Sequence, residues 1–434
     1  MTIYDIFFAI FALAYLPYLV IKGKAHRHFA QRFGKLPTAF SEIGASRPVW
    51  IHAVSVGEVM AVKNFVKKFS AGFPEKKIVF STTTRTGSAV AAKVFGGEIR
   101  KFYFPVDFSF VVKRVVSIIN PSAVLIMETE IWPNLILELS KNGIPVVLIN
   151  GRISNRSFGG YRKIKIFFEG ILKKISLFCM QTETDAGNIK ALGAPENRVK
   201  VTGNMKFDIE TEIRPTRSDN LSDLVGRKVS GSGNRLFVAG STHGGEEEMI
   251  LQAYAKLARE FRNLRLLIAP RHIDRSAAIK KIAAGMGFEG IFMSDFKKSP
   301  ENDISGKKVL ILDTLGDLKG IFGRAEVVFM GGSLVKRGGH NIVEPAMFGK
   351  PIVFGPYMFN FRDMARLFLE KKAALEVADK EGLTEELEVL LRDRKKAETL
   401  GQNAKKLLDE QRGATEKNVD EITRFIGKRL QHES

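Results

Sequence analysis

Residues 328–356, VFMGGSLVKRGGHNIVEPAMFGKPIVFGP, decide the fold. An apolar run ends in Gly331-Gly332, a basic glycine-rich loop carries Lys336 and Arg337, and Asn341, Ile342, Val343 and Glu344 lead into Pro345; a second apolar run follows Gly349. The order is strand, loop of phosphate size, short helix, strand. Paired glycines let backbone N–H groups approach an anion, and a helix N-terminus adds partial positive charge. Proline favours the first helical position, so Pro345 is expected to leave Glu344 just outside the helix, free to accept hydrogen bonds from ribose hydroxyls. The same residues also fit a local role, with the glycines serving turns and Asn341 and Glu344 forming an N-cap and capping box.

Outward from this stretch the same rhythm repeats. Residues 236–239, 264–269, 309–312, 327–330 and 351–354 read as strands buried on both faces, and so do 49–54, 78–81, 123–127, 146–149 and 177–180. Helical patterns begin between them near Gly57, Thr86, Phe108, Trp132 and Phe158, and Leu383, Leu387, Leu390 and Leu391 mark one face of a helix in the tail. The βα alternation breaks only over 211–234, which is polar and closes in Ser-Gly-Ser-Gly-Asn. We therefore expect an α/β fold of GT-B type, with two Rossmann-like domains facing a cleft: 23–210, a linker at 211–234, and 235–434 with a helical tail. A chain of 434 residues is long enough for two sizeable cores.

The first 22 residues stand apart. Residues 3–21, IYDIFFAIFALAYLPYLVI, form an apolar run long enough to span about 30 Å of hydrocarbon. Lys22, Lys24, Arg27 and Arg32 follow at once and place the rest of the chain on the cytoplasmic side. Asp5 and Pro17 also suit a helix lying in the interface, so residues 1–22 are expected to anchor the chain to a membrane by spanning it or lying in it. A formal charge of +20 implies an anionic partner: nucleic acid, an acidic membrane face or a phosphorylated substrate. The single Cys179 excludes an internal disulfide and an all-cysteine metal site.

In doubly wound sheets ligands bind beyond the carboxyl ends of the strands. The residues there are Ser55 to Glu58, Thr82 to Gly87, Glu128 to Glu130 and Asn150 to Arg152 in the first half. In the second they are Gly240 to His243, Pro270 to His272, Asp313 to Asp317 and the opening loop. Each has a local alternative: Glu58 complements a helix dipole, Glu128 and Glu130 lie in a solvated turn, Arg271 and His272 are surface cations, and His340 is a packing histidine. No Asp-x-Asp pair or Cys/His cluster is present to hold a divalent ion, so no metal and no cofactor is expected. The stretch 161–174, YRKIKIFFEGILKK, interleaves Lys and Arg with Ile and Phe, suiting either acyl chains and headgroups or an ordinary helix with a basic face.

Six segments, SVGE from Ser55, METEIWPN from Met127, GNMKFD from Gly203, GSTH from Gly240, APRH from Ala269 and GGHNIVEP from Gly338, together resemble the Kdo (3-deoxy-D-manno-octulosonic acid) transferases of lipid A biosynthesis, in the family order. The resemblance runs from about residue 23 to beyond 356, with a similar membrane-anchoring N-terminus. It implies an inverting GT-B glycosyltransferase at the cytoplasmic side of the inner membrane that moves Kdo from CMP-Kdo to lipid IVA and releases CMP. By the same resemblance Glu58 is the general base, and Glu128 and Lys206 stabilise the transition state. Pro270, Arg271, Leu315, Gly316, Asp317, Asn341, Ile342, Val343 and Glu344 are then the CMP-binding residues. Leu315-Gly316-Asp317 stands where the family more often has Met-Gly-Glu. From the residues alone, a UDP-sugar GT-B enzyme and a membrane-tethered nucleic-acid binder are the competing readings, the latter without any recognised nucleic-acid motif.

Overall fold

The structure is a computed structural model that describes residues 4–6, 9, 29–153, 155–208, 219–229, 233–299 and 306–430. It divides into two compact units, residues 1–210 with 411–434, and residues 211–410.

The first unit is built on β1 (Val49–His52), β2 (Ile78–Thr82), β3 (Arg100–Tyr103), β4 (Ala123–Met127), β5 (Val146–Gly151), β6 (Leu177–Met180) and β7 (Val199–Val201). All pair in parallel, in the order β3-β2-β1-β4-β5-β6-β7, with Val49 opposite Ile78 on one side and Ala123 on the other. Parallel strands need helical crossovers, and crossovers cover both faces of the sheet. Successive residues therefore enter different cores: Trp50, Val124, Ile126 and Leu148 lie in one, and Val49, Ile51, Leu125 and Val147 in the other. Every residue of β1, β2, β4, β5 and β6 is buried, which explains their apolar runs.

The second unit repeats the plan with β8 (Arg235–Thr242), β9 (Leu264–Pro270), β10 (Glu289–Phe292), β11 (Lys308–Ile311), β12 (Val327–Met330), β13 (Ile352–Phe354) and β14 (Leu375–Glu376). Its order is β10-β11-β9-β8-β12-β13-β14, again all parallel. In each unit the chain leaves the central strand toward one edge and returns beside it to build toward the other. The points of reversal lie between β1 and β4 and between β8 and β12.

Several placements correct the sequence reading. The tail is not all part of the second unit: the helix Ala414–Leu430 packs on the helix Val56–Gly72, with Ala414, Ile422 and Ile426 buried beside Val59, Phe65 and Phe69. The expected linker is partly structured. Asp219–Lys228 is a helix of the second unit that packs on the helix Leu318–Phe322 and buries Leu221, Leu224 and Val225, because its apolar residues recur at helical spacing.

The opening stretch is corrected as well. Its helix is Val343–Ala346, so Glu344 lies inside it and Pro345 at its third position, where the missing N–H is still one that needs no helical partner. Most of residues 3–21 lies outside the described residues, as do 211–218 and 230–232. Among the described residues no helix is long and apolar enough to cross a membrane. Asp5 is buried in the first unit, where it accepts hydrogen bonds from Ser109 N (2.9 Å), Ser109 Oγ (2.7 Å) and Asn134 Nδ2 (2.8 Å).

Both tryptophans, Trp50 and Trp132, belong to the first unit, so their fluorescence follows that unit alone. Ile422→Ala is expected to lower its stability by about 2–5 kcal/mol, read as an earlier tryptophan-detected urea transition. An unmoved transition would separate the C-terminal helix from that core.

Candidate active site

At the reversal between β1 and β4 three charged side chains come together. β1 ends at His52, and four residues later the helix Val56–Gly72 begins, with Glu58 in its first turn. Glu58 is 7% exposed. Its Oε2 accepts from Val54 N at 2.8 Å and its Oε1 from Ser55 Oγ at 2.9 Å, which fixes the carboxylate against the end of the strand. Burial pushes its pKa up to about 7; the charge of Glu128 adds to the rise, while the two hydrogen bonds and Lys206 oppose it.

Glu128 directly follows β4 and forms an ion pair with Lys206. Its backbone has φ 57°, in the left-handed region that costs a non-glycine residue of order 1–3 kcal/mol and that clusters at functional sites. Lys206 lies in the 3-10 turn Met205–Phe207. Asn150, at the end of β5 with φ 52°, accepts the Met205 N–H at 2.8 Å, and Asn204 accepts the Lys206 N–H at 3.0 Å. Asp208 follows and is held from the far end of the chain, accepting from Gly413 N (2.9 Å) and Thr415 N. Lys206 is thus delivered to Glu128 by a turn whose first two amides are each tied to a named side chain.

Glu130 is a further carboxylate at this edge, its pKa raised to about 7 by burial and by Glu128 and restrained by the Trp132 indole. Nearby, Asp107 receives Asn134 N (3.0 Å) and Leu135 N (2.9 Å) at the start of the helix Pro133–Lys141. Burial raises it to about 7 despite those donors.

The second unit gathers its polar groups at the reversal between β8 and β12. The anion expected in the Gly331-Gly332 loop is one of the protein's own side chains. Glu246, fully buried, accepts from Gly332 N (2.7 Å), Ser333 N (3.0 Å), Leu334 N (2.9 Å) and His243 N (3.0 Å). Those amides are therefore committed, contrary to the sequence reading. Gly331 serves a close approach, since a Cβ there would lie 2.5 Å from Ser241 O, and Gly332 has φ 70°.

Beyond the loop, Asn341 Oδ1 accepts Val343 N (3.1 Å) and its Nδ2 donates to Glu344 Oε1 (3.3 Å); this is a side-chain pair and not the expected N-cap and capping box, since the helix is preceded by Ile342. Burial raises the Glu344 pKa; Asn341, Lys319 and Arg271 act against it. Arg271, directly after β9, and Lys319, in the helix Leu318–Phe322 that packs on Val343–Ala346, thus share an edge with Glu344. Asp317 precedes that helix, its carboxylate taken by the Thr314 hydroxyl. Gly316 has φ 92°, and Leu315 stands 79% exposed. Pro270 closes β9 and is buried, as are Ile342 and Val343. The sequence-derived residues of each unit thus collect at one end of its own sheet.

Three residues were not singled out: Asp208 and Glu246, which act on backbone amides, and Asp107, which caps a helix from a distant loop. Asp208 lies within the quoted GNMKFD segment and Glu246 is an acid in the first turn of the helix Glu246–Glu260. Asn150, named among the strand-end residues, also acts on a backbone amide. Among the described residues no group of three or more His, Cys, Asp or Glu side chains is placed to hold a metal ion.

Two parallel-sheet α/β units with polar groups at the points of reversal define a protein resembling the GT-B glycosyltransferases. MurG from Acinetobacter baumannii shares this fold at a TM-score of 0.53 and 13% identity, covering 87% of this chain and 99% of its own. The family model described as 3-deoxy-D-manno-octulosonic-acid transferase (kdotransferase) matches residues 27–209. The 3-deoxy-D-manno-octulosonic acid transferase of Haemophilus influenzae is 33% identical over 96% of both chains. Its Chlamydophila psittaci counterpart is 30% identical over 98% of this chain and 96% of its own. The chain belongs to the 3-deoxy-D-manno-octulosonic acid transferase family and is a glycosyltransferase of Kdo.

The raised Glu58 pKa has a cost for the fold. Between about pH 4.5 and 7 the folded unit keeps a proton on Glu58 that the unfolded chain releases, so this contribution to stability is full below the unfolded pKa and lost as pH rises through the folded one. Asp107 and Glu130 act in the same sense. Glu58→Gln is expected to gain on the order of 2 kcal/mol relative to wild type between pH 4.5 and pH 8, by tryptophan-detected urea unfolding. Parallel pH profiles for the two proteins would contradict a raised Glu58.

Proposed function

We propose that the chain transfers Kdo from CMP-Kdo to lipid IVA with inversion, and that Glu58 is the general base. The reading rests on one observation: a carboxylate fixed by Val54 and Ser55, raised to about 7 and set beside the Glu128–Lys206 pair. A base with a pKa near the working pH is half ionised yet basic enough to accept a proton in the transition state. In the proposed step the acceptor's 6′-hydroxyl oxygen attacks the anomeric carbon of Kdo, its proton passes to Glu58, and the bond from that carbon to the phosphate oxygen breaks as CMP leaves. Lys206 opposes negative charge on the Kdo carboxylate or the departing phosphate, and Glu128 holds the ammonium in place. On the second unit, Pro270, Arg271, Leu315, Gly316, Asp317, Asn341, Ile342, Val343 and Glu344 hold CMP, with Arg271 toward the phosphate and Glu344 toward the ribose. The reading needs no metal and no cofactor.

We also place the chain at the cytoplasmic face of the inner membrane, with residues 1–22 as its anchor. The docked Asp5 carries Ile6, and Tyr4 stacks on Phe167 at 6.4 Å. Around them Phe110 is 65% and Ile166 94% exposed, and Ile6, Ile164 and Phe167 are exposed too. Arg162, Lys163, Lys165, Lys173 and Lys174 flank these apolar residues. The stretch 161–174 forms the helices Asn155–Lys163 and Lys165–Leu172, which bury Phe168, Ile171 and Leu172 and leave the other apolar side chains outside. Exposed apolar side chains with a basic rim suit an anionic bilayer surface.

Product mass after incubation with CMP-Kdo and lipid IVA tests the first proposal. Wild type is expected to add at least one Kdo, while Glu58→Gln loses about 10²–10⁴-fold in rate and still binds CMP. Full activity in the variant removes Glu58 from its role, and tighter protection by UDP than by CMP refutes the donor. For the membrane surface, Phe110→Glu with Ile166→Glu is expected to reduce flotation with anionic vesicles at unchanged thermal stability. Undiminished flotation would place the contact elsewhere.

A further inference from the structure

At the end of β8 and in the loop after β12, His243 and His340 face one another. Their rings are parallel within 8°, with centroids 5.2 Å apart and the two Nε2 atoms at 2.9 Å. Two lone pairs do not sit at that distance, so one Nε2 carries hydrogen and the other accepts it. His272 meets the His243 ring edge-on at 5.8 Å. The pair stands above Gly332, where a Cβ would come within 3.0 Å of His340, and it cannot move apart into the loop that Glu246 holds.

The charges around the pair are nearly all of one sign. Arg271 and His272 act on both rings and Arg337 acts on His243; Glu247 is the one acid with an opposite effect, and Arg275 engages it at 3.2 Å. Glu246 is committed to backbone amides. Lys336 lies over the Tyr357 ring at 5.7 Å. Burial first and the neighbouring positive charges second lower the pKa of both imidazoles, His340 down to about 4. Arg271 and Asn341, the chain neighbours of His272 and His340, are residues of the proposed donor site. A phosphate against Arg271 would cancel the cationic field that suppresses protonation.

We propose that His243 and His340 form a proton-sharing phosphate ligand, so that the donor's phosphate binds together with one proton from solvent. This rests on the donor assignment above. The acquired proton settles on one ring, the Nε2–H to Nε2 bond is kept, and the pair becomes a cation facing the phosphate. In the transfer reaction the same cation opposes the second negative charge that the phosphate gains as it leaves Kdo.

Calorimetry of the full chain with the methyl phosphodiester of CMP tests this, because that ligand has no ionisation of its own near neutrality. At pH 7, in buffers of different ionisation enthalpy, wild type is expected to take up about one proton per ester bound. His243→Gln and His340→Gln should each bind the ester at least tenfold more weakly with most of the uptake gone. Binding by wild type without proton uptake, or equal uptake in both variants, overturns the inference and leaves the donor assignment standing. No binding of CMP or its ester by wild type overturns both. Histidine ¹³Cε1 NMR gives the same answer on wild type alone: one of the two rings should titrate at least one pH unit higher with the ester bound, and unmoved titrations refute the pair.

Discussion

The second unit depends on a buried carboxylate held by backbone amides. Glu246 carries its charge into the interior and meets four N–H groups, three of them from consecutive residues of the loop after β12. Burying a carboxylate is unfavourable by several kcal/mol unless it is hydrogen-bonded, and here the donors come from the chain segments that must be brought together. The interaction ties the start of one helix to the loop after another strand and fixes where His340, Asn341 and Glu344 can stand. A glycine pair is required because the loop backbone has to close around the carboxylate and against β8 at once.

The first unit solves the same problem with side-chain amides as well as a carboxylate. Asn150 and Asn204 hold the turn that carries Lys206, and Asp208 connects that turn to the C-terminal helix. Glu58 and its neighbours Glu128 and Lys206 then sit on rigid elements rather than on free loops. Precision of this kind limits the reorganisation required as charge develops during reaction. The left-handed backbone at Glu128, Asn150 and Ser241 marks strand ends where side-chain direction takes precedence over local ease.

The central strands were legible because parallel strands covered on both faces need apolar side chains at every position. AVLIM of β4 and VVFM of β12 could be read directly. The four strands that escaped, β3, β7, β10 and β14, are the four sheet edges. Their sequences, RKFY, VKV, EGIF and LE, mix charge with apolar residues because one side of each has no neighbouring strand. Among the site residues, those at strand ends were visible from the βα rhythm and from motif resemblance. Glu246 and Asp107, which hold backbone amides, were not, since the geometry that makes them decisive exists only after distant segments meet. The helix Asp219–Lys228 was hidden by polar flanks that resembled a linker.

The return of the C-terminal helix to the first unit makes the second unit an insertion within the first. During synthesis, residues 211–410 leave the ribosome complete while the first unit still lacks the helix that covers Val59, Phe65 and Phe69. Domains generally fold as units as they emerge. The second unit can therefore mature first, and the unit carrying Glu58 closes its core only when residues 414–430 arrive. Assembly of the support around Glu58 thus waits for a segment some two hundred residues further along the chain, with the Asp208 contacts to Gly413 and Thr415 as its final latch.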